Sequence, residues 1–352
     1  MRITLRRRGF ELGSIDSRDF GAAAAVADWH QGKAIYLPAI CQQALSAQRD
    51  NIAQSARLYR ALLQHQESDQ ILAAPPYSER LQGHFEALGS SVNPADGQEI
   101  ETLMFDAVQE GSMVAEDLWL KISWLSFCEQ DTSLRFRFSF GEDFVEDVAA
   151  DPLRQHYAAQ LAQLIFPESD VITKNYELNR ELQQVLDTDC LNFVERIVYF
   201  NSPQGGAYLH HDRERGHAGV VYAQLTGKTF WLAVPAVALL QEIASFVKSC
   251  QQSGHWPASV SGEQQQQLLE MTGDSGDLVE QLHGFDNSAL IHLINETEPF
   301  VQRLISAGYG QLLFPGDALL LPQQDAELCC WHSVFCLDQS AGQALSFAVR
   351  TG

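Results

Sequence analysis

Positive charge is scarce in this chain. Its 352 residues include 23 lysines and arginines against 45 aspartates and glutamates, a formal net charge of −22. Such a surface repels phosphate backbones and anionic headgroups, so neither nucleic acid nor a membrane is an expected partner. Long apolar runs are missing as well. No stretch reaches the roughly 18 apolar residues of a membrane span. The basic start, Arg2 to Arg8, is not followed by the apolar core of a signal peptide, and Gly21 with the four alanines after it is too short for one. The seven cysteines form no C-x-x-C pair, and their number is odd. A disulfide framework is therefore not expected, and reduced thiols in the cytoplasm are. The adjacent Cys329 and Cys330 read as part of a buried strand rather than as a soft-metal site. No internal repeat is present.

What is there is a chain 45% hydrophobic, long enough for one large core or two moderate ones. Ala34 to Leu37 suggests a strand. From Ala39 to Gln66 the residues favour helix, with Ile52, Ala56, Tyr59 and Leu63 on one stripe, and Pro75-Pro76 ends the pattern. Residues 77 to 111 read as a short helix, a loop at Asn93 to Gly97, and a second helix. At Leu134 to Phe140 the period becomes two: Leu134, Phe136, Phe138 and Phe140 alternate with Arg135, Arg137 and Ser139. The two arginines suit a carboxylate substrate, but a solvated strand face is the commoner reading. Helices follow from Pro152 to Phe166 and from Tyr176 to Leu186.

Beyond Asn192 strands dominate: Phe193–Phe200, Gly219–Leu225, Thr229–Val234, Gln311–Phe314, Ala318–Leu321, His332–Leu337 and Ala344–Arg350. Residues 236 to about 300 are helical, including Leu239 to Cys250, and read as an insertion between two halves of a β-rich unit. Gln264 to Gln267 fits one solvated helix face. The division expected is a mostly helical region over 1–189, with some strands packing on the second unit, and a β-rich unit over 190–352.

The chemistry centres on Gly205-Gly206-Ala207-Tyr208-Leu209-His210-His211-Asp212. Alternate residues of a strand share a face, so His210 and Asp212 aim at one point and His211 away from it. A second imidazole from elsewhere in the chain completes two histidines and one carboxylate. His332, in a distant strand, is one source; His217, in a polar loop, is another. Such a set suits iron(II) with coordination positions left open, although zinc also accepts it.

Three motifs then follow in order: His210-x-Asp212; Ala223-Gln224-Leu225-Thr226-Gly227, leading into a strand that ends at Pro235; and Pro315-Gly316-Asp317, with Trp331-His332 after it. This order resembles the JmjC-like (cupin-like) branch of the iron(II)/2-oxoglutarate oxygenases, over about residues 190 to 350 without the insertion. The resemblance implies an α+β protein built on a double-stranded β-helix, a cupin-like jelly-roll barrel, with a helical N-terminal region and a helical insertion. It implies iron(II) held by His210, Asp212 and His332, with Gly316 and Asp317 in a tight turn and Trp331 packed beside the site. It also implies 2-oxoglutarate as cosubstrate, oxygen as oxidant, and hydroxylation, desaturation or ring closure of an amino-acid-like small molecule or a peptide side chain. The N-terminal region and the insertion would cover the barrel mouth.

One position departs from that pattern. The family's lysine for the far carboxylate of 2-oxoglutarate comes two residues after the turn glycine, where this chain has Thr229; its lysine is Lys228. A shift of one residue turns a strand side chain to the other face unless a bulge corrects it. Arg350 and Arg196 are the alternatives, since a guanidinium grips a carboxylate with two parallel hydrogen bonds. The gap from Asp212 to Ala223 is also long for the family. Two other readings remain: an iron oxygenase whose substrate itself chelates the metal, and a binding module without turnover.

Overall fold

The computed structural model describes residues 2–16, 26–126, 128, 130–141, 150–213, 217–273, 275–284 and 287–351. The chain opens with a hairpin, β1 (Arg2–Arg7) and β2 (Phe10–Asp16), followed by α1 (Val26–Trp29) and β3 (Ile35–Leu37). Helices α2 (Gln42–Ala47), α3 (Arg49–Leu63), α4 (Ser68–Leu72) and α5 (Tyr77–Leu81) come next. Four antiparallel strands then run in succession: β4 (Phe85–Ser91), β5 (Glu99–Gln109), β6 (Ser112–Trp124) and β7 (Leu134–Phe140). Helices α6 (Pro152–Ile165), α7 (Asp170–Thr173) and α8 (Tyr176–Leu186) precede β8 (Leu191–Asn201), β9 (Gly206–His210), β10 (Gly219–Gln224) and β11 (Thr229–Pro235). Five helices interrupt the strands: α9 (Ala236–Ser253), α10 (Gly262–Gly273), α11 (Ser275–Gly284), α12 (Ser288–Glu296) and α13 (Glu298–Ser306). The chain returns to β12 (Gly310–Leu313), β13 (Ala318–Pro322), β14 (Cys330–Cys336) and β15 (Gly342–Thr351).

Two of the expected helices are corrected here. The helix expected over 39–66 is broken at Gln48 into α2 and α3. The second helix expected before residue 111 is instead strand β5. There Leu103, Phe105 and Ala107 are buried and the residues between them are less so, a period of two that the helix-favouring residues around it obscured.

The strands form three antiparallel sheets. The largest has the order β3-β13-β10-β15-β8-β7-β6-β5-β4, and the second the order β12-β11-β14-β9; β1 and β2 pair alone. Leu134 to Phe140 therefore belongs to the same sheet as the later strands, because β7 is hydrogen-bonded to β8. Strands β4 to β7 extend that sheet rather than pack on it. This mixed architecture, with large antiparallel sheets, is compatible with a jelly roll.

Three apolar clusters explain why the layers stay together. One lies between the nine-stranded sheet and helices α2 to α8, where Phe136, Phe138 and Phe140 meet Leu161 and Phe166. A small one fills the space between the two large sheets, with Tyr222, Trp231 and Val334. The third joins the outer face of the four-stranded sheet to α9–α13 and to the β1–β2 hairpin. In β11 the division follows the strand period: Phe230, Leu232 and Val234 face outward, Trp231 and Ala233 inward. The insertion thus covers the back of the four-stranded sheet instead of the mouth, because its apolar helix faces match those outward residues. No helix among the described residues is long and apolar enough to cross a membrane.

Candidate metal centre

The approach of β9 to the site depends on two glycines. A side chain at Gly205 would collide with Asp131 and with the hydroxyls of Ser202 and Ser133; one at Gly206 (φ 147°) would collide with the Val334 carbonyl. Asp131 is the anchor of this corner. Its fully buried carboxylate accepts from Arg8 (3.0 and 2.8 Å), Ser126 (3.1 Å), the Gly206 amide (3.2 Å), the Ser133 amide (2.9 Å) and Ser202 (2.8 Å). Burial alone would raise its pKa, but these donors and the Arg8 charge bring it below the usual carboxylate value. Arg7 and Arg8 then lie over the ring of Tyr208, at 4.1 and 4.7 Å from its centre.

An extra residue in β9 shifts its register against β14: His332 pairs with His210, yet Val334 pairs with Ala207. Such a bulge re-aims side chains. It brings the rings of His210 and His332 to 4.4 Å between centres. Asp212, just past the strand end, stands between them. Its two oxygens lie 3.3 Å from His210 Nε2 and 3.2 Å from His332 Nε2. One donor atom from each of the three residues falls within 4.8 Å of the others.

The far side of each ring decides what this arrangement holds. His210 Nδ1 is 2.6 Å from the Tyr208 carbonyl, and His332 Nδ1 is 3.2 Å from the Cys330 carbonyl. A carbonyl only accepts, so each Nδ1 carries the hydrogen. In a neutral imidazole the lone pair is then on Nε2, and both lone pairs point at a carboxylate. That is repulsive unless a cation, either protons or a metal ion, lies between. Asp212 is held well below the usual carboxylate range although burial works against this, because the two imidazoles outweigh it. His210 is raised by Asp212 against the opposing effect of burial. Two imidazole nitrogens and one carboxylate, on one side of an open space, fit iron(II) and leave coordination positions free.

Neighbours hold the three side chains in place. Trp231 stacks on His332 with ring centres 5.7 Å apart and 22° between planes. Its indole donates to Thr229 (3.1 Å), and the Thr229 hydroxyl donates to Gln224 (2.8 Å). Gln323 accepts from the Asp212 amide (3.2 Å) and donates to the Cys330 carbonyl (2.9 Å), linking two of the three supports.

The centre opens into a cavity of about 590 Å³ between the two large sheets. That is an ordinary size for a small-molecule site. The nine-stranded sheet contributes Arg135, Arg137, Glu195 and Tyr199 to its wall, and Arg8 and Ser126 stand on its rim. The arginines of β7 thus face the cavity, not bulk solvent.

The candidates for the far carboxylate fare differently. Lys228 sits in the turn before β11, partly exposed, 3.4 Å from Asp338, and does not line the cavity. β11 pairs with β12 and β14 without a register shift, so no bulge turns Lys228 inward. Thr229 does face inward but is buried in the network with Gln224 and Trp231. Arg196 lies on the opposite face of its sheet, its guanidinium 5.4 Å from the Phe347 ring centre, and burial brings its pKa down to about 10. It is corrected as a site residue, because Glu195, Ile197 and Tyr199 are the cavity-facing positions of β8. Arg350, half-buried opposite Asn192, is close enough to His217 to affect its charge and lies outside the cavity lining. His217 is buried and is not in the ligand cluster. His211 packs edge-on against Trp331 at 4.9 Å. Trp331 is itself corrected: it points into the apolar layer beneath the insertion rather than toward the metal ligands. Reading by strand alternation left out Glu195, Tyr199 and Trp231, for which only the inward parity of their strands is a signal, and Asp131, which lies in the loop before β7, where strand parity says nothing.

No protein-family model matches this sequence, and no curated protein matches it. Among solved structures, one described as an oxidoreductase of the 2OG-Fe(II) oxygenase family, from Burkholderia pseudomallei, pairs with 96% of this chain and 93% of its own. The TM-score is 0.33 and the sequence identity 8%.

Proposed function

We propose that the protein is a mononuclear non-haem iron(II) oxygenase, with His210, Asp212 and His332 as ligands. The observation that carries this reading is the pair of Nε2 lone pairs set against a carboxylate, each fixed by a carbonyl behind its ring. The strand orders β8-β15-β10-β13 and β9-β14-β11-β12 support a double-stranded β-helix, with its metal ligands at the open end. Iron(II) bound there supplies oxygen activation, coupled to decarboxylation of 2-oxoglutarate. The chain's own part is to keep a face of the metal open, to surround it with Trp231, Tyr199 and Tyr222, and to limit water in the cavity. The molecule oxidised is a small one or a peptide side chain that fits that cavity. All seven cysteines are free, which supports a reducing compartment such as the cytoplasm.

A second reading, iron without 2-oxoglutarate, is favoured by Lys228 lying outside the cavity and by Thr229 having its hydroxyl engaged. One titration separates the two. Iron(II) is added anaerobically to apoprotein, then 2-oxoglutarate, and visible absorption is followed. A weak charge-transfer band on the second addition is the expected result. Iron binding without that band selects the second reading, and no iron binding removes both.

A further inference from the structure

Three guanidinium groups face the cavity, and their partners differ. Arg8 is matched by Asp131 at 2.8 Å. Arg137 is matched by Glu195, which lines the same wall. Arg135 has only a neutral partner: its Nε donates to the Ser123 hydroxyl at 2.8 Å, and among the described residues its two terminal nitrogens donate to no protein group. The strand register sets it between Ser123 and Tyr199, on the inward face of β7. The wall beyond it is apolar and aromatic, with Ile197, Tyr199, Val220, Tyr222, Leu321 and Val334.

Holding a guanidinium away from bulk water without an anion costs free energy. The surrounding protein has a surplus of carboxylates, at a net charge of −22; the one whose charge Arg135 influences, Asp96, is already paired with Lys121 at 2.7 Å, and among the described residues no carboxylate is hydrogen-bonded to Arg135. The fixed position of Nε leaves the outer edge of the fork free, and that edge matches a carboxylate through two parallel hydrogen bonds.

We propose that Arg135 anchors the carboxylate of the molecule to be oxidised, and that this substrate is an organic acid with an apolar body. The word oxidised rests on the function proposed above; the binding does not. The acid group meets β7, the body lies along the Tyr199–Tyr222 wall, and the other end of the cavity holds His210, Asp212 and His332. Selectivity against neutral analogues follows, because an amide in place of the acid leaves Arg135 unmatched.

The test uses the full chain, metal-free, with two matched pairs of probes: 3-phenylpropanoate against 3-phenylpropanamide, and hexanoate against hexanamide. Calorimetric affinities are measured for the natural chain, R135M and R135K. Cobalt(II) affinity and 2-oxoglutarate affinity of the cobalt form are measured alongside. At least one acid is expected to bind the natural chain on the order of tenfold more tightly than its amide, the usual scale of one charge-assisted contact. R135M should abolish that preference and R135K should keep part of it, with cobalt(II) affinity unchanged within about twofold in both. The proposal is overturned if neither acid binds, if acid and amide bind alike, or if the preference survives in R135M. It is also overturned if R135M weakens 2-oxoglutarate instead, since Arg135 would then serve the cosubstrate. Loss of cobalt(II) binding in the natural chain would count against the proposed function alone, because the acid–amide ratio is read without metal.

Discussion

The two faces of the four-stranded sheet are built from the same strands and do different things. Outward, Leu232, Val234 and Phe335 are sealed under the insertion helices. Inward, one residue along, Trp231, His332 and Val334 face the cavity. The outer face is largely apolar, with Ser333 a buried polar exception, and contributes stability by burial. The inner face carries polar groups whose lone pairs and charges are only partly satisfied within the protein. A strand therefore separates the support from the chemistry by nothing more than residue parity. The insertion supports the candidate metal centre through the sheet, by packing against β11 and β14.

The comparison breaks most sharply at the ligands. His332→Ala should lower iron(II) affinity at least about a hundredfold, more than loss of a supporting group does, while the outer layer and the melting cooperativity stay as they are. Metal titration and a thermal melt of the same sample check both halves. Phe335→Ala should do the reverse. It empties a buried aromatic site and should cost about 3–5 kcal/mol of unfolding free energy in a denaturant titration, with iron affinity of the folded fraction unchanged.

Asp131→Asn tests the edge where the two faces are tied to the rim, and should cost about 3 kcal/mol by leaving Arg8 buried without its counterion. Its sign with pH is set by the lowered pKa of Asp131. The stabilisation is fully present above the ordinary carboxylate value and is lost as pH falls through the depressed one. Unfolding free energy measured from pH 6 down to pH 3 should therefore fall less steeply in the variant than in the natural chain. Lys228→Ala should do least. Its ion pair with Asp338 is solvent-exposed, so a stability change under about 0.5 kcal/mol is expected, and calorimetry should show 2-oxoglutarate binding unaltered. A large loss of 2-oxoglutarate binding would mean that Lys228 reaches the cavity after all.

Much of the later strand order was legible in the chain because its signals are local. Turn residues and strand-length apolar runs marked β8, β10, β11 and β12 to β15. The parity of His210-x-Asp212 placed both on one face, and the one-residue offset of Lys228 placed it on the wrong one. β5 was misread because helix-favouring residues surround its alternating core. Arg196 was misjudged for a different reason. Phe193 to Phe200 carries apolar residues on both faces, and its two charged residues, Glu195 and Arg196, are adjacent, one to each face, so the pattern does not reveal which face is the cavity. The same ambiguity hid Tyr199.

By itself the sequence determined which residues share a strand face, because that depends only on a repeat of two. It determined the acidic surface and the candidate ligands in the same way, as properties of residue type and spacing. Tertiary structure decided what each face meets. The bulge in β9 brings His210 to His332, across more than a hundred residues of chain that includes the insertion. The carbonyls of Tyr208 and Cys330 select which ring nitrogen carries hydrogen. Docking of β7 beside β8 turns Arg135 from a surface residue into a wall of the cavity. Each of these is a contact between distant segments or a backbone position, and neither is written in the identity of any single residue.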